Sequence, residues 1–278
     1  MSSTGAAQMW TDSHCHIPND ASGDEIVARA VAAGVTRMVT IGTDRERSIG
    51  AIAVAGRHPG VSATVGLHPH EAAAGSDTIA DLVDPAPQVV VGVGECGLDF
   101  FYEHSPRQAQ RKAFAEQVQI AAERDLTLVI HTRDAWDETF DILTGEELPA
   151  RWVLHCFSGG PGELRRCLDL GCYVSFSGIV TFKKADDVRA AAAACPLERM
   201  LIETDSPFLA PVPNRGKPNE PAWVALVGAA VAALRNESVE TVAKATWDNA
   251  TAAFRLLDLT PSTPTAGGGG TSVDQAER

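Results

Sequence analysis

Eight short β-rich runs alternate with amphipathic helical stretches along most of this chain of 278 residues. The runs are MWTDSHCH, TRMVTIG, VSATVGLHP, VVVGVGECGLD, LTLVIHTRDA, RWVLHCFSGG, CYVSFSGIV and RMLIETDSPFLAP. This alternation is typical of a parallel sheet, because parallel neighbouring strands need a crossover connection that is usually a helix. Eight repeats within about 250 residues indicate a single-domain (β/α)8 TIM barrel of the α/β class, with an open doubly wound sheet as the alternative.

The segments between the runs carry helix signals. In SPRQAQRKAFAEQVQIAAERD, Ser105 is a candidate N-cap, Pro106 falls in the first turn, and Phe114, Val118 and Ala121 recur at helical spacing. A further helical stretch, SVETVAKATWDNATAAFRLL, follows the eighth unit. We expect this extra C-terminal helix to pack on the outside of the barrel.

Composition separates one barrel domain from two short ends. We expect a flexible N-terminus over residues 1–8, the barrel over 9–259, and a disordered tail over 260–278, where apolar residues are too few to form a core. We find neither a secretory signal nor a membrane-spanning apolar run. The six cysteines form no CxxC pair, which favours buried reduced thiols. We therefore predict a cytoplasmic protein with no membrane partner, and we favour a monomer.

The formal net charge of -13 argues against a protein that binds nucleic acid through a broadly basic surface. It does not exclude a nuclease, because divalent ions bound at the active site can attract a phosphodiester locally.

Residues that ligate metals stand at or near the C-terminal ends of most of the runs. In a barrel these ends meet at one mouth, where barrel enzymes place their chemistry. One such residue can be a core histidine or a turn aspartate, but six strands with this pattern by chance, the third of them through His68, are improbable. The candidate ligands are His14, His16, Glu95, His131, His155 and Asp205.

These ligands suffice for two divalent ions. His14 and His16 share one face of their strand and, with Asp205, can hold the first ion. His131 and His155 can hold the second, and Glu95 can bridge both through its two oxygens. Mixed nitrogen and oxygen ligands suit Zn²⁺ or Mn²⁺ and, less comfortably, Mg²⁺. Paired ions activate water for hydrolysis, and Asp205 could take the proton of that water.

Five ordered motifs carry a family resemblance: DSHCH, GECGLDF, VIHTRDA, HCFSGG and ETDSPFLAPVPNRGKPNEPAWV. Together they resemble the TatD family of metal-dependent deoxyribonucleases, within the amidohydrolase-like TIM barrels. The resemblance implies hydrolysis of phosphodiester bonds in DNA, typically by an exonuclease, and its metal ligands fall on the six residues above. Two departures are Ile17-Pro18 after the histidine pair, where the family usually has Leu-Asp, and Asn214, where an aromatic residue commonly precedes RGK.

Further polar residues are candidates for supporting roles. His68, in GLHPH, could contact a substrate phosphate or be structural, whereas His70 is expected in solvent. Arg133, Arg215 and Lys217 are candidates for phosphate contacts. Glu203 shares a strand face with Asp205 and could orient a metal-bound histidine. The segment GVGECG lacks the spacing of a nucleotide-binding loop, and we interpret it as close packing around Glu95.

Three functions remain open from the sequence. The first is a metal-dependent phosphodiesterase with catalytic residues Asp205 and Glu95 that acts on single-stranded ends of DNA, with RNA as an open alternative substrate. The second is an amidohydrolase that acts on an amide, ester or lactone, since the same ligand pattern serves that chemistry. The third is a metal-bound partner in protein quality control or export, which retention of the proton acceptor Asp205 disfavours.

Overall fold

The computed structural model describes residues 9–256. The eight strands are β1 (Trp10–Cys15), β2 (Val35–Thr40), β3 (Val61–Val65), β4 (Val90–Asp99), β5 (Thr127–Arg133), β6 (Trp152–Leu154), β7 (Tyr173–Phe176) and β8 (Met200–Ile202). The helices are α1 (Ala21–Ala32), α2 (Arg45–Arg57), α3 (Asp77–Ala80), α4 (Arg107–Glu123), α5 (Trp136–Gly145), α6 (Pro161–Asp169), α7 (Asp186–Ala194), α8 (Val224–Arg235) and α9 (Val239–Phe254). Short 3-10 turns lie at Pro69–Ala74, Gly178–Thr181, Leu197–Arg199 and Pro221–Trp223.

The strands form one parallel sheet in chain order, which closes between β8 and β1. Just beyond β8, the backbone amide of Asp205 donates to the carbonyl of His14 at 2.9 Å, and that of His16 donates to the carbonyl of Ser206 at 2.8 Å. The Asp12 carboxylate adds a side-chain link, because it accepts from the amide and the hydroxyl of Thr204. The predicted (β/α)8 barrel is therefore confirmed, and the open sheet is excluded.

Apolar side chains pack on both faces of the sheet. The larger cluster lies between the strands and the surrounding helices and includes Phe114 and Val118 of α4, as the helical spacing predicts. Inside the barrel, residues such as Val39, Val129 and Leu201 form a second cluster. Burial of each such side chain contributes about 1.5–3 kcal/mol to folding, so the two layers hold the strand ends in fixed positions.

Two local expectations differ from the structure. The extra helix α9 packs against α8, but its last turn also covers the interior cluster, where Phe254 lies with Val39 and Leu201. Ser105 does not cap α4, which begins after Pro106. Its hydroxyl donates instead to the carbonyl of His70 at 2.7 Å, because the loop before α4 folds back over the turn at Pro69–Ala74.

The predicted runs extend beyond several observed strands. β6 and β8 end at Leu154 and Ile202, before the polar residues that follow them in the sequence.

The predicted flexible N-terminus over 1–8 and the predicted disordered tail over 260–278 lie outside the described residues. All six cysteines are free thiols, and five of them are buried. The cytoplasmic location and the monomeric state stay predictions.

Within residues 9–256 no single helix is long and apolar enough to cross a membrane. Only the segments Pro221–Arg235 and Val239–Phe254 reach such a length together, and the chain bends by 117° between them.

Candidate metal centre

The histidine pair of β1 faces the inside of the barrel mouth. His14 is fully buried, and His16 follows directly after the strand. The Nε2 atoms of both rings approach the same oxygen, Oε2 of Glu95, at 3.5 and 3.9 Å. Cys15, between them, packs on the opposite side with the helix-facing cluster. The alternation expected for a strand thus places both imidazoles on one face.

Glu95 lies inside β4, where one extra residue decides which face its side chain takes. Val93 pairs with Leu128 and Cys96 pairs with Ile130, so three steps along β4 oppose two steps along β5. Without this bulge Glu95 would share the face of Val93, which packs toward the helices. The bulge turns the carboxylate into the barrel instead.

Gly94 and Gly97 flank this bulge and allow β4 to approach β5 closely. Their φ angles are 135° and 132°. A Cβ atom at Gly94 would lie 2.4 Å from the carbonyl oxygen of Val129, and one at Gly97 would lie 2.0 Å from that of His131. The interpretation of GVGECG as close packing around Glu95 is therefore confirmed.

The two oxygens of Glu95 face two different groups of imidazoles. Oε2 faces His14 and His16, as described above. Oε1 lies 2.8 Å from Nε2 of His155, 3.1 Å from Nδ1 of His131 and 3.4 Å from Nε2 of His68. A carboxylate between two nitrogen groups is the arrangement that a bridge between two cations needs.

The first group of possible ligands consists of His14, His16 and Asp205, whose ligand atoms lie within 4.8 Å of one another. Oδ1 of Asp205 is 3.8 Å from Nε2 of His14 and 3.6 Å from that of His16. Among the described residues, neither ring nitrogen of His14 has a hydrogen-bond partner, although both are buried. Such orphaned nitrogens are costly unless something else satisfies them, and a metal ion in this group would satisfy Nε2, the nitrogen that faces Glu95 and Asp205.

The second group consists of His68, Glu95 and His131, again within 4.8 Å. The sequence placed His68 with the substrate contacts, whereas the structure places its Nε2 among the possible ligands. His155 borders both groups, since its ring stacks on that of His14 with centroids 3.8 Å apart. The donor set of imidazoles and carboxylates fits divalent ions such as Zn²⁺ or Mn²⁺.

Two buried carboxylates hold the histidines from behind. Nδ1 of His155 lies 3.3 Å from Oε1 of Glu203, a position from which this carboxylate could orient the ring. His131 has an equivalent partner that sequence analysis missed, because its Nε2 lies 3.3 Å from Oδ2 of Asp99. His70, expected in solvent, also lies 3.1 Å from this oxygen. These contacts fix the ring orientations and leave the opposite nitrogens free for a metal.

The protonation of the centre follows from this crowding. Burial opposes ionisation of Glu95, yet the surrounding imidazoles, His155 foremost, hold the pKa of its carboxyl well below the usual value. Burial likewise opposes ionisation of Asp205, and the hydrogen bond from His16 lowers its pKa. Burial lowers the pKa of His68 to about 4. Both carboxylates are therefore anionic and His68 is neutral near pH 7, the states in which these groups bind cations.

The cationic candidates separate into two sets. Arg133, at the end of β5, lines a cavity of about 1380 Å³ that opens over Glu95, His131 and Asp205. Arg215 and Lys217 are exposed and are not among the described residues that line this cavity. The guanidinium of Arg215 stacks on Phe182, 3.7 Å from the ring centroid. Of the three, only Arg133 is brought to the centre.

A (β/α)8 barrel with histidine and carboxylate ligands at its mouth defines the class of metal-dependent barrel hydrolases. Within that class, the profile of the family described as TatD related DNase matches residues 11–255. The chain belongs to the TatD family.

Individual relatives agree with this assignment. The chain is 35% identical to an uncharacterized metal-dependent hydrolase, YabD of Bacillus subtilis, over 254 residues, which are 89% of this chain and 100% of YabD. It is 38% identical to a protein named 3'-5' ssDNA/RNA exonuclease TatD of Klebsiella pneumoniae, over 84% of this chain and 92% of the relative. The crystal structure of YjjV, a TatD homologue of Escherichia coli, superposes with a TM-score of 0.85 at 30% identity, covering 91% of this chain and all of YjjV.

Proposed function

We propose that this protein is a metal-dependent exonuclease that hydrolyses phosphodiester bonds at single-stranded ends of DNA or RNA. The observation that carries the proposal is the position of Glu95, whose two oxygens face two separate groups of histidines. A shared anion of this kind supports two adjacent divalent ions of the Mg²⁺, Mn²⁺ or Zn²⁺ type. Paired ions supply a nucleophilic hydroxide near neutral pH and stabilise the leaving oxygen.

The residues of the chain divide the remaining tasks. His14, His16 and Asp205 would hold one ion, and His131, His155 and His68 would hold the other. The Asp205 carboxylate is ionised at neutral pH and lines the cavity, so it can accept the proton of the attacking water. Glu203 and Asp99 keep the rings of His155 and His131 in one orientation while this happens.

Arg133 offers one contact for an anionic substrate at the mouth, where bound divalent ions would offset the carboxylates that line the cavity. Arg133 lines the cavity, and a guanidinium forms paired hydrogen bonds with phosphate oxygens. The relative in Klebsiella pneumoniae is named as an exonuclease on single-stranded DNA and RNA. By analogy with that name, we expect digestion from the 3' end.

The test is a direct comparison of substrate classes. Purified protein, stripped with a chelator and then reloaded with Mn²⁺ or Mg²⁺, is incubated with single-stranded DNA and RNA labelled at the 5' or the 3' end. Parallel reactions contain amides, esters and lactones, and the Asp205→Asn variant is the matched control for a contaminating nuclease. Stepwise release of mononucleotides by the wild type alone, abolished by the chelator, is the expected result. Turnover of a lactone or amide without nucleotide release would instead identify an amidohydrolase, and no turnover of any substrate would favour a non-catalytic role.

A further inference from the structure

Aromatic side chains are exposed around the mouth of the barrel. Phe101, Tyr102 and Phe208 have 55%, 50% and 59% of their surface accessible. Tyr102 and Phe208 both line the cavity over the metal centre. Because water contact with large apolar rings is unfavourable, exposed aromatic groups at one site point to a ligand that covers them.

The turn that carries Phe101 and Tyr102 is fixed to the metal centre. One oxygen of Asp99, Oδ1, accepts from the backbone amides of Phe101 and Tyr102 at 3.0 and 2.9 Å. The other oxygen, Oδ2, lies 3.3 Å from Nε2 of His131. A single buried carboxylate therefore sets the position of both the metal-ligand candidate and the aromatic turn.

Arg133 completes the surface on this side. Its guanidinium carbon lies 4.0 Å from the ring centroid of Phe101 and 4.7 Å from that of Tyr102. The two rings hold the guanidinium by cation–π attraction. The side chains of Phe101 and Tyr102 nevertheless remain half exposed. Tyr102 also stacks on His104, with ring centroids 5.5 Å apart and planes at 5°. The result is a platform, formed by Phe101, Tyr102 and Arg133 and supported by His104, whose half-exposed aromatic surface and positive charge face the mouth.

Phe208 stands on the opposite side of the centre, in the segment after β8. Its ring centroid is 6.1 Å from that of His16, with the planes at 74°. Its backbone is held at both ends, since its amide donates to the carbonyl of Asp205 and its own carbonyl accepts from Asn219. The exposed ring is thus held in a fixed position at the mouth, next to His16 of the first ligand group.

We propose that the platform and Phe208 bind the terminal bases of a single-stranded nucleic acid by stacking, on either side of the metal centre. The inference rests on the proposed exonuclease function and adds how the strand is recognised. Stacking suits a strand end whose bases are unpaired, and it does not depend on the sequence because every base has a π face. Arg133 would meet the phosphate next to the stacked base.

The test measures recognition of the base separately from cleavage. Two single-stranded oligonucleotides are compared, one normal and one with abasic residues at its last positions, and the selectivity is the ratio of their KM values. Replacement of a stacking side chain by alanine typically weakens binding by about 5- to 140-fold per base. We therefore expect Tyr102→Ala and Phe208→Ala to raise the KM for the normal strand by such a factor and to bring the selectivity toward one.

Two further variants make the result specific. Phe208→Trp keeps a stacking surface and should restore the selectivity, whereas Phe208→Leu keeps only apolar bulk and should not. Val31→Ala is the matched control, because Val31 is also half exposed, at 49%, but lies in α1 and does not line the cavity. It should leave the selectivity at the wild-type value.

The possible failures are distinguishable. If the wild type cleaves the normal strand but has no preference over the abasic strand, the stacking proposal is wrong and the exonuclease function stands. If the alanine variants lower kcat equally on both strands with unchanged selectivity, the rings support the metal ligands and do not bind bases. If the wild type cleaves neither strand, the proposed function and this inference both fall.

Discussion

Nδ1 of His155 lies 3.3 Å from Oε1 of Glu203, a carboxylate with no exposed surface that also accepts from the backbone amide of Cys156 at 2.8 Å. The contact holds a proton on Nδ1 and leaves Nε2, 2.8 Å from Glu95, as the nitrogen available to a cation. Glu203 therefore contacts the metal centre through His155, and with His14 and His155 it also forms a third, fully buried group of possible ligands.

Glu203→Gln should weaken metal binding while the barrel remains folded. The amide keeps the shape of the carboxylate but loses its charge, so the basicity of His155 falls. Loss of such an outer partner typically costs 10- to 100-fold in metal affinity. Calorimetric titration of the stripped protein with Mn²⁺ measures it. Glu198→Gln, at an exposed position just before β8, is the control and should bind as the wild type does. Equal affinity in the two variants would argue against the orienting role.

Glu95→Ala and Asp205→Asn should affect different properties, namely metal occupancy and the rate of the chemical step. Removal of Glu95 takes away the anion that faces both histidine groups, so occupancy of both metal sites should fall. Asp205→Asn retains a neutral oxygen donor, so the site around His131 and His155 should still fill, while the chemical step slows by about 10²- to 10⁴-fold. Elemental analysis together with single-turnover cleavage separates the two effects. Two ions per chain in Glu95→Ala, or wild-type cleavage by Asp205→Asn, would contradict the bridged arrangement.

Metal loading should stabilise the fold. A ligand present at 100 times its dissociation constant adds about 2.7 kcal/mol to the free energy of unfolding. For a chain of this size that corresponds to a rise in Tm of roughly 5–10 °C. Calorimetric scans with Mn²⁺ and with a chelator measure the difference, and Glu95→Ala should respond much less. Identical melting of the loaded and stripped wild type would mean that the centre does not hold a metal under those conditions.

Gly97→Ala should destabilise the protein strongly. The φ angle of Gly97 is 132°, and a Cβ atom there would lie 2.0 Å from the carbonyl oxygen of His131, so β4 and β5 would have to separate. Strain and overpacking together should cost about 2 kcal/mol or more in urea unfolding. Gly162→Ala is the control, because Gly162 lies in α6 with no atom near its missing Cβ. That variant should be neutral or slightly more stable. Similar stability of the two variants would show that β4 can move away from β5.

Most candidate ligands could be predicted from the sequence. The alternation of strands and helices predicts a barrel, and barrel enzymes place their chemistry at the C-terminal ends of the strands. His14, His131 and His155 follow from that rule, since parallel strands in a barrel end at one mouth. Glu95 lies inside β4, and only the bulge between Val93 and Cys96 turns it into the barrel.

The role of Asp99 was not predicted, although Asp99 is the last residue of GLD in the fourth run. An aspartate after a strand is usually a turn residue, and only the path of the next loop brings its two oxygens to His131 and to the amides of Phe101 and Tyr102.

Loop geometry also explains the other differences. His68 follows β3 and lies close to Oε1 of Glu95, a distance that sequence spacing cannot supply. Arg215 is held by Phe182, from a different loop. The exposure of Phe101 and Phe208 was likewise hidden, because in the sequence an aromatic residue beside a strand reads as core. Local patterns specify elements, whereas these contacts depend on how separate loops meet.

The closure of the barrel between β8 and β1 has a consequence for the order of events during synthesis. His14 and Asp205 become neighbours only through the backbone contacts that join the two ends of the sheet. A chain still emerging from the ribosome carries the two histidines of β1 from the start, but its first group of ligands is incomplete until the segment after β8 has been made and has docked. Chains that end before Asp205 therefore lack the proposed general base, and we expect the proposed hydrolytic activity only after the last strand has completed the ring.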